Sequence, residues 1–196
     1  MNPLKSIKGT IISGLVVAVV LSALIAWPQT ELVTALERWV HFLSGVTWIG
    51  LLYYFNFVQV PAMAAAAADT DGPGPAAIGK YVAPLALLWF RWAAVVTWIS
   101  GAMLLASLGN VDFVDAFTLS GSSQVIGVGA WLGTIMLINV WVFIWPNQKK
   151  VLGMVAATDE EKNKARTVAL MASRTNTLLS IPMLLFMGAS AHGLPF

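Results

Sequence analysis

The sequence predicts an all-α integral membrane protein, a bundle of five transmembrane helices with a cytoplasmic amino terminus and a periplasmic carboxy terminus. Three observations carry this. First, 58% of the residues are hydrophobic and only 10% are charged, whereas about a quarter are charged in soluble domains. Second, five apolar stretches have the roughly 20-residue length that crosses a hydrocarbon core as helix. Third, the basic residues are distributed asymmetrically between the connections.

The five spans are residues 9–27, 39–60, 81–108, 125–145 and 176–191. They use most of the 196 residues, so the chain reads as a single membrane domain without a separate soluble one. The first follows Lys5 and Lys8 and reads as an uncleaved helix. Its apolar run is longer than a signal-peptide core and lacks a small residue three positions before a cut near Trp27.

Orientation follows the lysines and arginines, which concentrate in cytoplasmic segments. Lys5, Lys8, Lys80, Lys149, Lys150, Lys162, Lys164, Arg166 and Arg174 all fall on one side of a five-crossing chain. The other side holds Glu31, Glu37, Asp112 and Asp115, with Arg38 as its only basic residue. The expected location is the bacterial inner membrane, crossed several times and surrounded by lipid.

Residues 64–77, with Asp69, Asp71, Gly72, Pro73, Gly74 and Pro75, read as a flexible connection. Residues 110–123 suit a short surface element outside. Thr158-Asp-Glu-Glu161 matches a capping box, so the last helix is expected to start before it enters the membrane. Pro182 would kink that helix partway. The absence of cysteine excludes disulfides, thiolate metal sites and covalent c-type haem.

His41 and His192 are the only histidines, and the topology puts both near the outer face. From Arg174 to His192 the last helix runs roughly 27 Å, nearly the thickness of the core. Two imidazoles facing each other from separate helices suit a six-coordinate b-type haem, of which two histidines supply at most one. Gly45 lies four residues after His41 and Gly188 four before His192, each on its histidine's helix face, so a flat macrocycle could lie against bare backbone there. The alternatives are close helix packing at the glycines and interfacial histidines bonded to carbonyls. Gly129-xxx-Gly133 reads as packing.

His41, Gly45, Trp48, Leu52, Asn56 and Gln59 form one stripe that should face the interior. Asn56 and Gln59 either bond neighbouring helices or line a cavity. Arg91 lies roughly 16 Å beyond Lys80, near the midplane, and an intramembrane charge is a functional-site candidate by default. It could attract a haem propionate, a quinone oxygen or an anionic substrate, snorkel toward the cytoplasm, or bond to Asn56 or Gln59. Trp27, Trp39 and Trp145 suggest interfacial belts, while Trp48, Trp92 and Trp98 fall deeper and flank a cofactor or fill the core.

The segment His41-Phe-Leu-Ser-Gly-Val-Thr-Trp-Ile-Gly-Leu-Leu-Tyr-Tyr-Phe resembles a helix of the membrane-bound urate hydroxylase family. Trp89-Phe-Arg-Trp-Ala-Ala-Val-Val-Thr-Trp-Ile-Ser-Gly resembles the next helix of that family, and Ser173-Arg-Thr-Asn through Pro182 to Met187-Gly-Ala-Ser-Ala-His192 its closing motif. A fainter similarity links the His41 helix to the membrane protoporphyrinogen oxidase family of haem-binding bundles. The resemblance implies a membrane oxidoreductase that passes electrons to a cytochrome c module. This chain has no cysteine for such a haem, so the acceptor is expected to be a separate periplasmic cytochrome c or a larger membrane complex.

The leading expectation is therefore a haem b oxidoreductase or electron-transfer subunit. His41 and His192 would be the iron ligands, with Gly45, Gly188, Trp48 and Arg91 around the cofactor. The alternatives are a non-catalytic accessory or scaffold subunit and, more weakly, a small-solute transporter or channel lined by Asn56, Gln59 and Arg91. Against the transporter stand the absence of repeats and of acidic residues within the spans.

Overall fold

The computed structural model describes residues 2–26, 32–109 and 111–195. Among them the chain is helical throughout, with no strand, and five helices are long and apolar enough to cross a membrane. The long helices are α1 (Ile7–Ala26), α2 (Leu32–Ala68), α3 (Ile78–Ser107), α5 (Gly121–Val151) and α6 (Asp159–His192); a short α4 spans Phe113–Thr118. The expectation for Trp27 falls outside the described residues. The chain divides into two units, residues 1–35 and 36–196. In the first, α1 is apolar around its whole circumference, and the Ser6 hydroxyl accepts from the Gly9 amide at its start.

The helices outrun the expected spans. The supposed connection at 64–77 is helical to Ala68, turns through 69–75 and is helical again from Ala76. The reason is local: residues 64–68 are five successive alanines, the residue with the highest helix propensity. Helix α6 begins at its capping box, where Thr158 Oγ1 accepts from the Glu161 amide and Glu161 Oε2 accepts from the Thr158 amide.

Three prolines explain three irregular turns. A proline within a helix lacks its N–H and clashes with the carbonyl four residues back, at about 3 kcal/mol. Immediately before Pro61, Pro84 and Pro146 the helix widens into π-turns, at Tyr54–Gln59, Ile78–Val82 and Val140–Ile144. In each case the residue preceding the proline donates to the carbonyl five back: Val60 to Phe55, Ala83 to Ile78 and Trp145 to Val140. The wider turn keeps the helix continuous across the lost bond.

The core of the second unit is built from α2 (Trp48, Leu52, Phe55), α3 (Leu87, Phe90, Ala94), α5 (Met136, Val140, Ile144) and Met183 of α6. Phe55 and Phe90 meet edge-to-face at 5.5 Å and 87°. Large apolar side chains also cover the outside of these helices, among them Val46, Leu85, Ile138 and Ile181. Such a surface suits lipid rather than water.

One face of α6 supplies a polar ladder, as residues spaced three and four apart must. Ser173 Oγ accepts from Asn56 Nδ2 at 2.8 Å, Asn176 Oδ1 accepts from Asn139 Nδ2 at 2.7 Å, and Ser180 Oγ pairs with the Tyr53 hydroxyl at 3.0 Å. Asn176 is fully buried and also donates to the Met136 carbonyl at 3.0 Å. Interhelical bonds of this kind fasten membrane helices that have no hydrophobic drive to associate. Asn176→Ala is therefore expected to destabilise the protein by about 1–2 kcal/mol, read as a lower unfolding midpoint in detergent.

Candidate functional site

Toward the histidine end, α2, α3, α5 and α6 separate around a cavity of about 470 Å³. From α2 it is lined by His41, Gly45, Trp48 and Tyr53; from α3 by Thr97, Trp98 and Gly101; from α5 by Ala130 and Gly133; from α6 by Met183 and Met187. Phe117 of α4 and Ile126 line it as well. The volume falls within the range of small-molecule sites. The walls are largely apolar, so the few polar groups among them are informative.

His41 is fixed by α3. Its Nδ1 lies 2.8 Å from the Thr97 carbonyl oxygen, and because a carbonyl only accepts, Nδ1 carries the proton. In the neutral imidazole Nε2 is then the unprotonated nitrogen, with its lone pair available. Gly101, one turn beyond Thr97, makes this possible. A Cβ at Gly101 would lie 2.8 Å from His41 Cε1, too close to stand without a shift, and 3.0 Å from Nδ1. Bare backbone at this position lets the imidazole reach the carbonyl. The Thr97 hydroxyl takes no part in this, because it donates to the Ala93 carbonyl at 2.7 Å.

Trp48 is 2% exposed and its indole nitrogen has no hydrogen-bond partner. Trp98, by contrast, donates to Thr134 Oγ1 at 2.8 Å and so ties α3 to α5. Gly45 has only an ordinary contact to make, 3.7 Å from Thr97 Cγ2, and a Cβ on Gly133 would meet nothing. The Gly129-xxx-Gly133 pair thus divides. Gly129 abuts Met187, with its backbone nitrogen 3.3 Å from an added Cβ, as packing requires, whereas Gly133 opens on the cavity.

The structure brings His41, Gly45 and Trp48 to one cavity and leaves three other expected residues off its walls. His192 is exposed, as is Gly188, and both share the outward face of α6 with Ile181 and Leu185. Met183, Leu184 and Met187 are the α6 residues that reach the cavity.

Arg91 does not line the cavity. Its guanidinium carbon stands 3.8 Å from the centroid of the Trp145 ring, one turn from Lys149. Of the readings open to Arg91, snorkelling toward the lysine-rich end describes its position, and neither Asn56 nor Gln59 bonds to it. Asn56 donates instead to Leu52 O and Ser173 Oγ. Thr97 and Gly101 are the functional candidates that sequence reasoning passed over. Their four-residue spacing was visible, but the helix they serve was not.

No group of three or more His, Cys, Asp or Glu side chains capable of holding a metal ion occurs among the described residues. A flat macrocycle with one imidazole ligand fits the donors present: a single histidine of fixed tautomer, an apolar wall and glycines that leave space. Residues 106–196 match the family model for urate oxidase, N-terminal. No curated protein and no solved structure matches the chain. The matched stretch covers α4, α5 and α6 with the Ser173–Pro182–His192 motif, and leaves His41, Thr97 and Gly101 outside it.

Proposed function

We propose that this protein is a membrane-embedded haem b oxidoreductase or electron-transfer subunit, similar to the membrane domain of the urate hydroxylases, that passes electrons to a separate partner. The observation that carries the reading is the bond from His41 Nδ1–H to the Thr97 carbonyl beside an apolar cavity. Histidines that ligate metals almost always donate their other ring N–H to a carbonyl or carboxylate, which fixes the tautomer and strengthens the ligand. The match to the urate oxidase N-terminal family model supports an oxidoreductase class.

When bound, haem b supplies one-electron redox chemistry whose potential is set by ligand, hydrogen bonding and burial. The chain's own contributions are separate and specific. His41 Nε2 would hold the iron, and Thr97 would keep the imidazole oriented. Gly45, Gly101 and Gly133 would leave the walls flat, while Met183 and Met187 would exclude water from the α6 side. This reading rests on His41 alone, since His192 stands off the cavity wall.

The test is the absorption spectrum of the purified protein in detergent, oxidised and then reduced with dithionite. A Soret band with one haem per chain is expected, lost in His41→Ala and retained in His192→Ala. A wild type without a Soret band that co-purifies stoichiometrically with a larger assembly would favour the accessory-subunit reading instead.

A further inference from the structure

At the lysine-rich end, the seam between α3 and α5 gathers hydrogen-bond donors without acceptors. Arg91 stacks on Trp145 at 3.8 Å, and the Lys149 ammonium stands 5.9 Å from the centroid of the same ring. One turn earlier on α5, Trp141 meets Trp92 edge-on at 5.5 Å, and its indole nitrogen is buried without a partner. Guanidinium, ammonium and indole N–H only donate. Among the described residues the one ion pair joins Lys162 to Asp159, so no carboxylate among them neutralises Arg91 or Lys149.

Cation–π contact with Trp145 orients the guanidinium but leaves its donors unused. The arrangement calls for an acceptor with negative charge. Its position selects the source. Trp92 is 52% exposed, beside outward-facing Val142 and Phe143, on a surface that in this reading meets lipid. Lys149 lies one turn past Trp145, where the apolar run of α5 ends. Basic pockets between helices at that level suit lipid head groups.

We infer that the α3–α5 seam binds the phosphate of an anionic phospholipid. Arg91 and Lys149 take the phosphate oxygens, and Trp92 packs against the acyl chain. This site is independent of the cavity at His41 and of any cofactor there.

Native mass spectrometry of the full chain, exchanged from detergent containing equal phosphatidylglycerol and phosphatidylcholine, tests it. The wild type is expected to retain phosphatidylglycerol selectively. Arg91→Gln and Lys149→Gln should each weaken retention roughly tenfold, the loss of one charge-assisted bond. Lys164→Gln, at the same end on α6, should leave retention unchanged. Lys149→Gln lies near a helix end and carries the test even if Arg91→Gln fails to fold. Full retention in Lys149→Gln, equal retention of phosphatidylcholine, or displacement of the lipid by millimolar inorganic phosphate would overturn the proposal, the last by showing a site for a free anion.

Discussion

On the proposed haem reading, Gly101→Ala is expected to weaken cofactor binding at the cavity while leaving the bundle folded. The added methyl would stand 2.8 Å from His41 Cε1 and 3.0 Å from Nδ1, so the imidazole must shift, which weakens its bond to the Thr97 carbonyl. Nothing in the core has to move, because the obstructed group is a side chain at the cavity edge. Loss of such a partner typically costs metal ligands 10–100-fold in affinity. The measurement is haem content per chain beside the thermal unfolding midpoint. Occupancy should fall by roughly 10–100-fold while the midpoint of the apoprotein stays within a few degrees of the wild type's. Unchanged occupancy would show that the Thr97 bond does not position a ligand.

Gly127→Val is expected to have the opposite signature, with stability lost first. A Cβ at Gly127 would run into the carbonyl of Ala116, a backbone atom of α4 that cannot rotate aside. The short helix is held on both sides of that point. Asp112 caps it through the Asp115 amide, and Trp131 donates to the Phe117 carbonyl at 2.9 Å. Leu119 closes it in the left-handed region at φ 56°. Overpacking of this kind costs about 1–3 kcal/mol, and the branched side chain should reach the upper end. Phe117 and Ile126 line the cavity beside this contact, so cofactor loss should follow unfolding rather than precede it. A midpoint equal to that of the wild type would mean that α4 is free to lift off α5.

How much of this was legible in the sequence depended on whether the deciding interaction was local. The five spans follow from apolar length, and the α6 start from Thr158 and Glu161, because hydropathy and capping act within a few residues. The extension of α2 through the alanines to Ala68 is equally local, but the Asp, Gly and Pro residues that follow make residues 64–77 read as one flexible connection. The π-turns were not legible, since three prolines follow one but Pro182 lies within a regular stretch of α6.

His41 could be singled out because histidine is rare in this chain. Its partner could not, because the Thr97 carbonyl lies 56 positions away and a backbone oxygen leaves no mark in the side-chain pattern. Pairing His41 with His192 rested on their matched depth and on Gly45 and Gly188, each four residues from its histidine. Facing also depends on rotation about the helix axis, where each residue turns the side chain by about 100°, and this puts Met187 on the cavity and Gly188 outside it. Arg91 shows the same limit at side-chain scale. Counting residues from Lys80 locates its Cα, whereas its long side chain carries the charge to Trp145.

The central claim is that His41 Nε2 holds a haem iron, and the most direct measurement is the absorption spectrum of His41→Gly with and without added imidazole. The variant removes the ligand and leaves space for a free imidazole beside the Thr97 carbonyl. Loss of the Soret band in His41→Gly and its return when the protein is reconstituted with haem and imidazole is the predicted result. A Soret band in His41→Gly equal to that of the wild type, without imidazole, would contradict the assignment of His41.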